Sequence, residues 1–287
     1  MEATELLKKV RRIEIKARGL TRHIFAGEYH SAFKGRGIAF SEVREYQYGD
    51  DVRNIDWNVT ARLNHPYIKI YEEERELTVM LLVDVSGSGN FGTVASFKRD
   101  VMTEVAAVLS FSALYNNDKI GVIFFSDIIE KFIPPQKGRK HILRIIRELL
   151  DFAPASNSTN LSVPLRYLTN AIKKRCTAFL ISDFLAPDFE EALRIVSNKH
   201  DVVALNVSDP LETALPDVGF IKVADSETGD ERWVDTSSSR ARSAYSHWWN
   251  THIGTIRNSF RRCGVDYTEL NTKDDYVKPL IQLFENR

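Results

Sequence analysis

The sequence lacks three features that would assign it to a common class of protein. Its 39 Lys and Arg residues balance 39 Asp and Glu residues, so no bulk electrostatic attraction to nucleic acid or to a membrane surface is expected. Only two of its 287 residues are cysteines, Cys176 and Cys263, which excludes a disulfide framework. No apolar run approaches the roughly 20 residues needed to span a bilayer, and the charged N-terminus does not resemble a signal peptide. We therefore expect a cytoplasmic protein with no membrane span and no nucleic-acid partner.

Nucleotide-binding motifs are absent or weak. The Gly-Lys-Ser/Thr sequence of a P-loop does not occur. Gly87, Gly89 and Gly92 formally match the dinucleotide fingerprint. However, Asp84 and Ser86 occupy the strand end, where a pyrophosphate would need neutral backbone. The sequence therefore argues against a nucleotide cofactor.

Runs of β-branched and aliphatic residues alternate along the chain with segments of helical periodicity. Such runs are typical of strands buried on both faces of a parallel sheet, and the alternation predicts a doubly wound, mostly parallel α/β fold. The predicted strands cover residues 67–71, 77–84, 119–125, 131–133, 177–182, 201–207 and 265–270. The predicted helices cover residues 3–18, 94–115, 138–151, 161–174, 188–199, 238–262 and 275–285. The strand at 131–133 stops at Pro134 and Pro135, which suits the edge of a sheet.

Two regions follow from this pattern. Residues 1–76 form a lead-in segment that begins with an amphipathic helix and then shows no long periodic element. Residues 77–287 form the α/β domain, with a hairpin inserted at about 219–236 whose turn lies at 227–230.

Oxygen-bearing side chains follow the strand at 77–84 and recur at two later points of the chain. Asp84, Ser86 and Ser88 end that strand, Thr159 precedes a helix, and Asp183 ends the strand at 177–182. Because the carboxyl ends of parallel strands share one edge of a sheet, these loops can meet there. Carboxylate and hydroxyl oxygens suit Mg²⁺, with Mn²⁺ or Ca²⁺ as other candidates. With so few carboxylates the ion would remain electrophilic, so an acidic side chain from a partner would be an attractive further ligand.

These five residues resemble the metal-ion-dependent adhesion site of von Willebrand factor A domains. The resemblance implies that Ser86, Ser88 and Thr159 contact the metal through their hydroxyls. It also implies that Asp84 and Asp183 act mainly through water.

A second motif lies in the lead-in segment and is rich in carboxylates, arginines and aromatics. The sequence predicts a polar network whose members are Gly49, Asp50, Asp51, Arg53, Asp56, Trp57 and Arg62. This motif resembles the bacterial family filed as domain of unknown function fifty-eight, and the likeness runs from about Gly27 to the last strand. It implies a non-enzymatic interaction module that works beside a MoxR-type AAA+ ATPase in chaperone-like assembly or maturation of a client protein.

Two other functions remain open at this stage. Asp50, Asp51 and Asp56 could join the Asp84 site in a metal-dependent hydrolase, as ligands or as a general base. Alternatively, Asp84 and Asp183 could be structural caps and ion-pair partners in a scaffold that binds no metal.

Overall fold

The computed structural model describes residues 11, 13, 14, 39–72, 77–92, 97–186 and 188–287. The chain divides into two units. One unit is Phe33–Leu77, and the other comprises Met1–Ala32 together with Thr78–Arg287. The predicted boundary after residue 76 stays a prediction.

The described residues form ten strands and eight α-helices, of which β1, α1 and β2 belong to the smaller unit and the others to the larger one. The strands are β1 (Ala39–Glu45), β2 (Tyr67–Glu72), β3 (Thr78–Asp84), β4 (Lys119–Phe125), β5 (Ile129–Gln136), β6 (Thr177–Ser182), β7 (Asp201–Ser208), β8 (Phe220–Ala224), β9 (Glu231–Asp235) and β10 (Asp266–Asn271). The α-helices are α1 (Trp57–Leu63), α2 (Lys98–Tyr115), α3 (Arg139–Asp151), α4 (Ser162–Ala171), α5 (Glu190–Lys199), α6 (Pro210–Thr213), α7 (Ser239–Arg262) and α8 (Val277–Glu285). Short 3-10 turns occur at Val52–Asn54 and Gly87–Asn90.

The main sheet has six strands in the order β10-β7-β6-β3-β4-β5. All neighbouring pairs are parallel except β4 with β5. The two central strands, β3 and β6, are buried almost throughout because helices cover both faces of the sheet. The predicted mostly parallel α/β architecture is confirmed.

Alternate residues of each central strand enter two different cores. Met80 and Leu82 of β3 pack with the apolar faces of α4, α5 and α7. Val79, Leu81 and Val83 are equally buried on the opposite side. There Phe179 of β6 meets Phe284 of α8 edge to face, with ring centroids 6.2 Å apart. This double coverage holds the strand ends in fixed positions.

Two small antiparallel sheets lie outside the main sheet. β1 pairs with β2 in the smaller unit, and β8 pairs with β9 as a hairpin in the larger one. The predicted strand at 67–71 and the predicted hairpin are therefore present. The partner strand β1 has no counterpart in the sequence prediction, because its residues do not alternate regularly.

Most predicted elements agree with the structure to within a few residues, and two details were wrong. β5 does not stop at Pro134 but runs through both prolines to Gln136, since an edge strand is paired on one side only. In α7, Trp249, Ile253, Ile256 and Phe260 are buried as predicted, whereas Trp248 is exposed.

Of the predicted helix at 3–18, residues 11, 13 and 14 are helical, and the remainder lies outside the described residues. None of the helices in the described part of the chain combines the length and apolar character required to cross a bilayer.

His200, between α5 and β7, gives the fold a specific dependence on pH. Its buried ring accepts a hydrogen bond at Nδ1 from the Cys176 backbone N–H at 3.3 Å. Burial, assisted by the charges of Lys199 and Arg175, lowers the pKa of His200 from 6.5 to about 4. The unfolded chain therefore binds a proton at higher pH than the folded chain does. We expect the free energy of unfolding to decrease as the pH falls from about 6.5 towards 4.

Urea unfolding of the wild type and of His200→Gln across this pH range tests the expectation. The decrease should be shallower in His200→Gln. It should be unchanged in His247→Gln, which alters an exposed histidine of α7. Equal slopes in all three proteins would contradict the assignment.

Candidate metal centre

The carboxyl ends of β3 and β6 are joined through Asp84. Its Oδ2 accepts a hydrogen bond of 2.6 Å from Ser182 Oγ of the neighbouring strand. Its Oδ1 accepts a hydrogen bond of 3.0 Å from the Ser86 backbone N–H in the following turn. Asp84 is only 4% exposed. Parallel pairing of β3 with β6 therefore puts one carboxylate where two loops begin.

The turn after β3 brings two hydroxyls together and contacts the loop that holds Thr159. Ser86 Oγ and Ser88 Oγ are 3.2 Å apart, and both side chains are buried. The Gly87 backbone N–H donates to the Asn157 carbonyl at 3.0 Å. Thr159 is 6% exposed, and its Oγ1 makes no hydrogen bond of normal geometry to a described residue. A buried hydroxyl without such a partner is costly, so Thr159 Oγ1 is available to a further ligand.

Asp183 lies in the strained turn that follows β6. Its Oδ1 accepts a hydrogen bond from the Leu185 backbone N–H at 3.2 Å. The next residue, Phe184, is buried with φ at 56°, a left-handed conformation that a bulky side chain rarely adopts. Strain of this kind costs about 1–3 kcal/mol and persists where the surroundings enforce it. Here the Phe184 ring packs against Phe260 of α7, with centroids 5.0 Å apart.

Lys98, which the sequence reasoning missed, is buried beside Asp183. Its side chain is fully enclosed, and its Nζ lies 2.7 Å from Asp183 Oδ2 and 2.5 Å from Glu212 Oε1. Burial alone would lower the pKa of Lys98, but the charges of Asp183 and Glu212 outweigh it and raise the pKa. Lys98 is therefore a fixed ammonium ion at this edge of the sheet.

Helical spacing could have revealed this lysine. Lys98, Met102, Val105 and Leu109 follow one another at intervals of four, three and four residues, and all four are buried. Glu212 gives no comparable signal, because it reaches the site from α6, 114 residues later in the chain.

The edge carries more negative than positive charge. Burial, followed by the charge of Asp183, raises the pKa of Asp84 to about 6. Burial likewise raises the pKa values of Glu212 and Glu227, both of which sense the charge of Asp183. Among the described residues, Lys98 forms ion pairs with Asp183 and Glu212, and neither Asp84 nor Glu227 forms one. This imbalance favours an additional cation.

The donor set fits a hard divalent ion bound mainly through hydroxyls and water. Asp84, Ser86, Ser88, Thr159 and Asp183 could hold the ion. The part of the chain that the structure describes contains no tight group of three or more His, Cys, Asp or Glu side chains. The adhesion-site resemblance implies that the two aspartates act through water. The site assignment stays a prediction.

Three carboxylates of the predicted network, Asp50, Asp51 and Asp56, make hydrogen bonds within the smaller unit. Arg44 binds Asp50 through two hydrogen bonds of 2.7 and 2.9 Å. Asp51 caps the 3-10 turn at the Arg53 backbone N–H, and Asp56 caps α1. Gly49 adopts φ of 106° in the turn before Asp50. Asp50 and Asp56 are partly buried, and the exposed members are Gly49, Asp51, Arg53, Trp57 and Arg62.

Comparison with known proteins places these features in a family. The family model described as protein of unknown function DUF58 matches residues 42–253. The chain is 30% identical over 286 residues to the uncharacterized proteins Rv1480 of Mycobacterium tuberculosis and Mb1516 of Mycobacterium bovis. These alignments cover 99% of this chain and 90% of each relative.

Three solved structures are similar at low sequence identity. An aerotolerance-related membrane protein from Bacteroides fragilis is 15% identical, with 74% of this chain and all of that chain covered and a TM-score of 0.49. BatB from Bacteroides thetaiotaomicron is 13% identical, with 73% and 98% covered and a TM-score of 0.46. The SpRpn10 VWA domain is 10% identical, with 74% and 95% covered and a TM-score of 0.41.

Replacing Lys98 should be severely destabilising. In Lys98→Met, the buried carboxylates of Asp183 and Glu212 lose their ammonium partner, and we expect the free energy of unfolding to fall by about 3–5 kcal/mol. Chemical denaturation monitored by circular dichroism measures the loss.

The matched control is Lys131→Met. Lys131 pairs with Glu148 at 2.6 Å, but both side chains are partly exposed. Loss of this pair should lower the free energy of unfolding by no more than about 1 kcal/mol. Similar costs for the two variants would show that the Lys98 pair behaves as a surface pair.

Proposed function

Since the chain belongs to the DUF58 family, we propose that it is a non-enzymatic protein–protein interaction module that uses Mg²⁺. In this proposal it acts with a MoxR-type AAA+ ATPase in chaperone-like assembly or maturation of a client protein. The ATPase partner rests on the resemblance carried by the lead-in motif. The role of Mg²⁺ rests on the chemistry of the carboxyl edge of the main sheet.

The observation that supports the metal most directly is the enclosed Thr159 hydroxyl. It has no protein partner of normal hydrogen-bond geometry, and it lies on the loop that Asn157 attaches to the Ser86–Ser88 turn. A divalent ion would give this oxygen the partner that it lacks. Mn²⁺ and Ca²⁺ share the preference for oxygen ligands and are alternative ions.

Each residue of the site has a separate role in this proposal. The hydroxyls of Ser86, Ser88 and Thr159 bind the ion, while Asp84 and Asp183 orient its water ligands. The bound ion supplies an electrophilic point for an acidic side chain of the partner protein. Ser182 keeps the Asp84 carboxylate oriented through the 2.6 Å hydrogen bond. In this proposal, binding of the partner protein does not require a side chain that donates or accepts a proton.

One alternative has structural support, and the other does not. A scaffold that binds no metal is favoured by the contacts that already engage Asp84 with Ser182 and Asp183 with Lys98. The hydrolase would need Asp50, Asp51 or Asp56 in a catalytic role. Those three side chains are engaged in an ion pair and two helix caps of their own unit.

Metal addition separates the proposal from the scaffold. A ligand that binds only the folded state stabilises it, by roughly 2.7 kcal/mol at a hundred times its dissociation constant. We expect Mg²⁺ to raise the free energy of unfolding of the wild type and to have no effect on Asp84→Ala. The control is Asp127→Ala, which removes an exposed carboxylate after β4 and should respond like the wild type. If Mg²⁺ fails to stabilise the wild type, the scaffold is the better account.

The partner can be tested with a purified MoxR-type ATPase from the source organism. We expect binding of the full-length protein, measured by biolayer interferometry, to weaken at least tenfold on chelation and in Asp84→Ala. Asp127→Ala should bind like the wild type. Binding that survives both the chelator and Asp84→Ala would rule out a metal bridge to the ATPase.

A further inference from the structure

The tip of the β8–β9 hairpin, Asp225–Asp230, is a well-defined turn beside the candidate metal centre. The Asp225 backbone N–H donates to the Asp230 carbonyl, and the Gly229 backbone N–H donates to the Asp225 carbonyl, each at 2.9 Å. Asp225 Oδ1 accepts hydrogen bonds from the backbone N–H groups of Glu227 and Thr228 at 2.8 and 3.1 Å. Gly229 closes the turn with φ of 75°. These contacts hold the backbone of the tip in a defined turn.

The backbone of this tip lies directly against the Ser86–Ser88 turn. A Cβ atom built on Gly87 would fall 2.5 Å from the Ser226 carbonyl oxygen, closer than such atoms approach in proteins. Gly87 is thus required here by contact with the hairpin. The backbone of the hairpin tip is therefore in direct contact with the turn that carries Ser86 and Ser88.

Glu227 is the residue of the tip that is turned away from solvent. Asp225, Ser226, Thr228, Gly229 and Asp230 are all exposed, whereas Glu227 is partly buried. The Thr159 hydroxyl and backbone N–H lie near enough to lower the pKa of Glu227, although burial has the larger and opposite effect. The contact falls short of normal hydrogen-bond geometry, since Thr159 Oγ1 has no partner by that criterion.

Glu227 is a partly buried carboxylate at the tip of the hairpin. Among the described residues, no lysine or arginine pairs with Glu227, and the nearby ammonium of Lys98 is engaged by Asp183 and Glu212. A carboxylate withdrawn from water needs a positive partner. A metal ion bound at Thr159 would provide one.

We propose that Glu227 supplies an additional carboxylate ligand to the metal centre, so that the β8–β9 hairpin caps the site from within the same chain. A partner's acidic side chain then binds only after the hairpin tip has moved away. This inference rests on the proposed metal centre and adds an internal competitor for its partner position.

Metal binding to the full chain tests the inference with Mn²⁺ alone as the probe. The signal of free Mn²⁺ in electron paramagnetic resonance gives the dissociation constant directly. We expect Glu227→Gln to weaken Mn²⁺ binding about tenfold. The matched control is Glu231→Gln, which neutralises a carboxylate of the same hairpin that pairs with Lys222 at the surface. It should leave the affinity unchanged.

Hydrogen exchange provides a second readout that is independent of affinity. Addition of Mg²⁺ should slow exchange at the amides of residues 226–229 in the wild type and in Glu231→Gln, and not in Glu227→Gln. Gly87→Ala should also abolish this protection, because its methyl group would displace the Ser226 carbonyl. Thermal unfolding confirms that each variant is folded.

The outcomes distinguish this inference from the proposed function. If Mn²⁺ binds the wild type and Glu227→Gln equally while Asp84→Ala loses it, the metal centre stands and the hairpin cap is wrong. If the wild type does not bind Mn²⁺, the metal centre itself fails and the cap fails with it.

Discussion

The Asp84 carboxylate is the contact on which the carboxyl edge of the main sheet depends. One of its oxygens holds the turn after β3, and the other holds Ser182 at the end of β6. Because β3 and β6 are adjacent and parallel, this single buried group links the two loops that follow them. Gly87 and Asn157 extend the same connection to the Thr159 loop. The edge is therefore organised by polar contacts placed on a rigid apolar sheet.

The electrostatics of this edge remain unbalanced in the direction of negative charge. Lys98 compensates Asp183 and Glu212, and its burial beneath the Phe91 ring, 5.9 Å from the ring centroid, fixes where that compensation acts. Asp84 and Glu227 lie outside its ion pairs.

The sequence predicted the elements whose signal is local and missed those that depend on distant partners. Residues 79–83 are apolar in succession because both faces of β3 are covered, so strand and sheet type followed directly. The five candidate site residues were chosen for their positions at strand ends and in loops, and all five are buried: Asp84, Ser86, Ser88, Thr159 and Asp183. Lys98 was missed because a lysine in the first turn of a helix is ordinarily a surface residue. Glu227 was interpreted as a turn residue, and its approach to Thr159 depends on the placement of a hairpin some 70 residues later in the chain.

The outermost strand on one side of the main sheet contains Pro134 and Pro135 within β5. Successive N–H groups of a strand point to opposite sides, so one of these prolines removes a donor that an incoming strand would need, and the other lies towards β4. Strand β10 on the opposite side, Asp266–Asn271, contains no proline. Edge-to-edge association with a second chain, including the early steps of aggregation, is therefore disfavoured along β5. Strand β10, in contrast, keeps a backbone N–H at every residue.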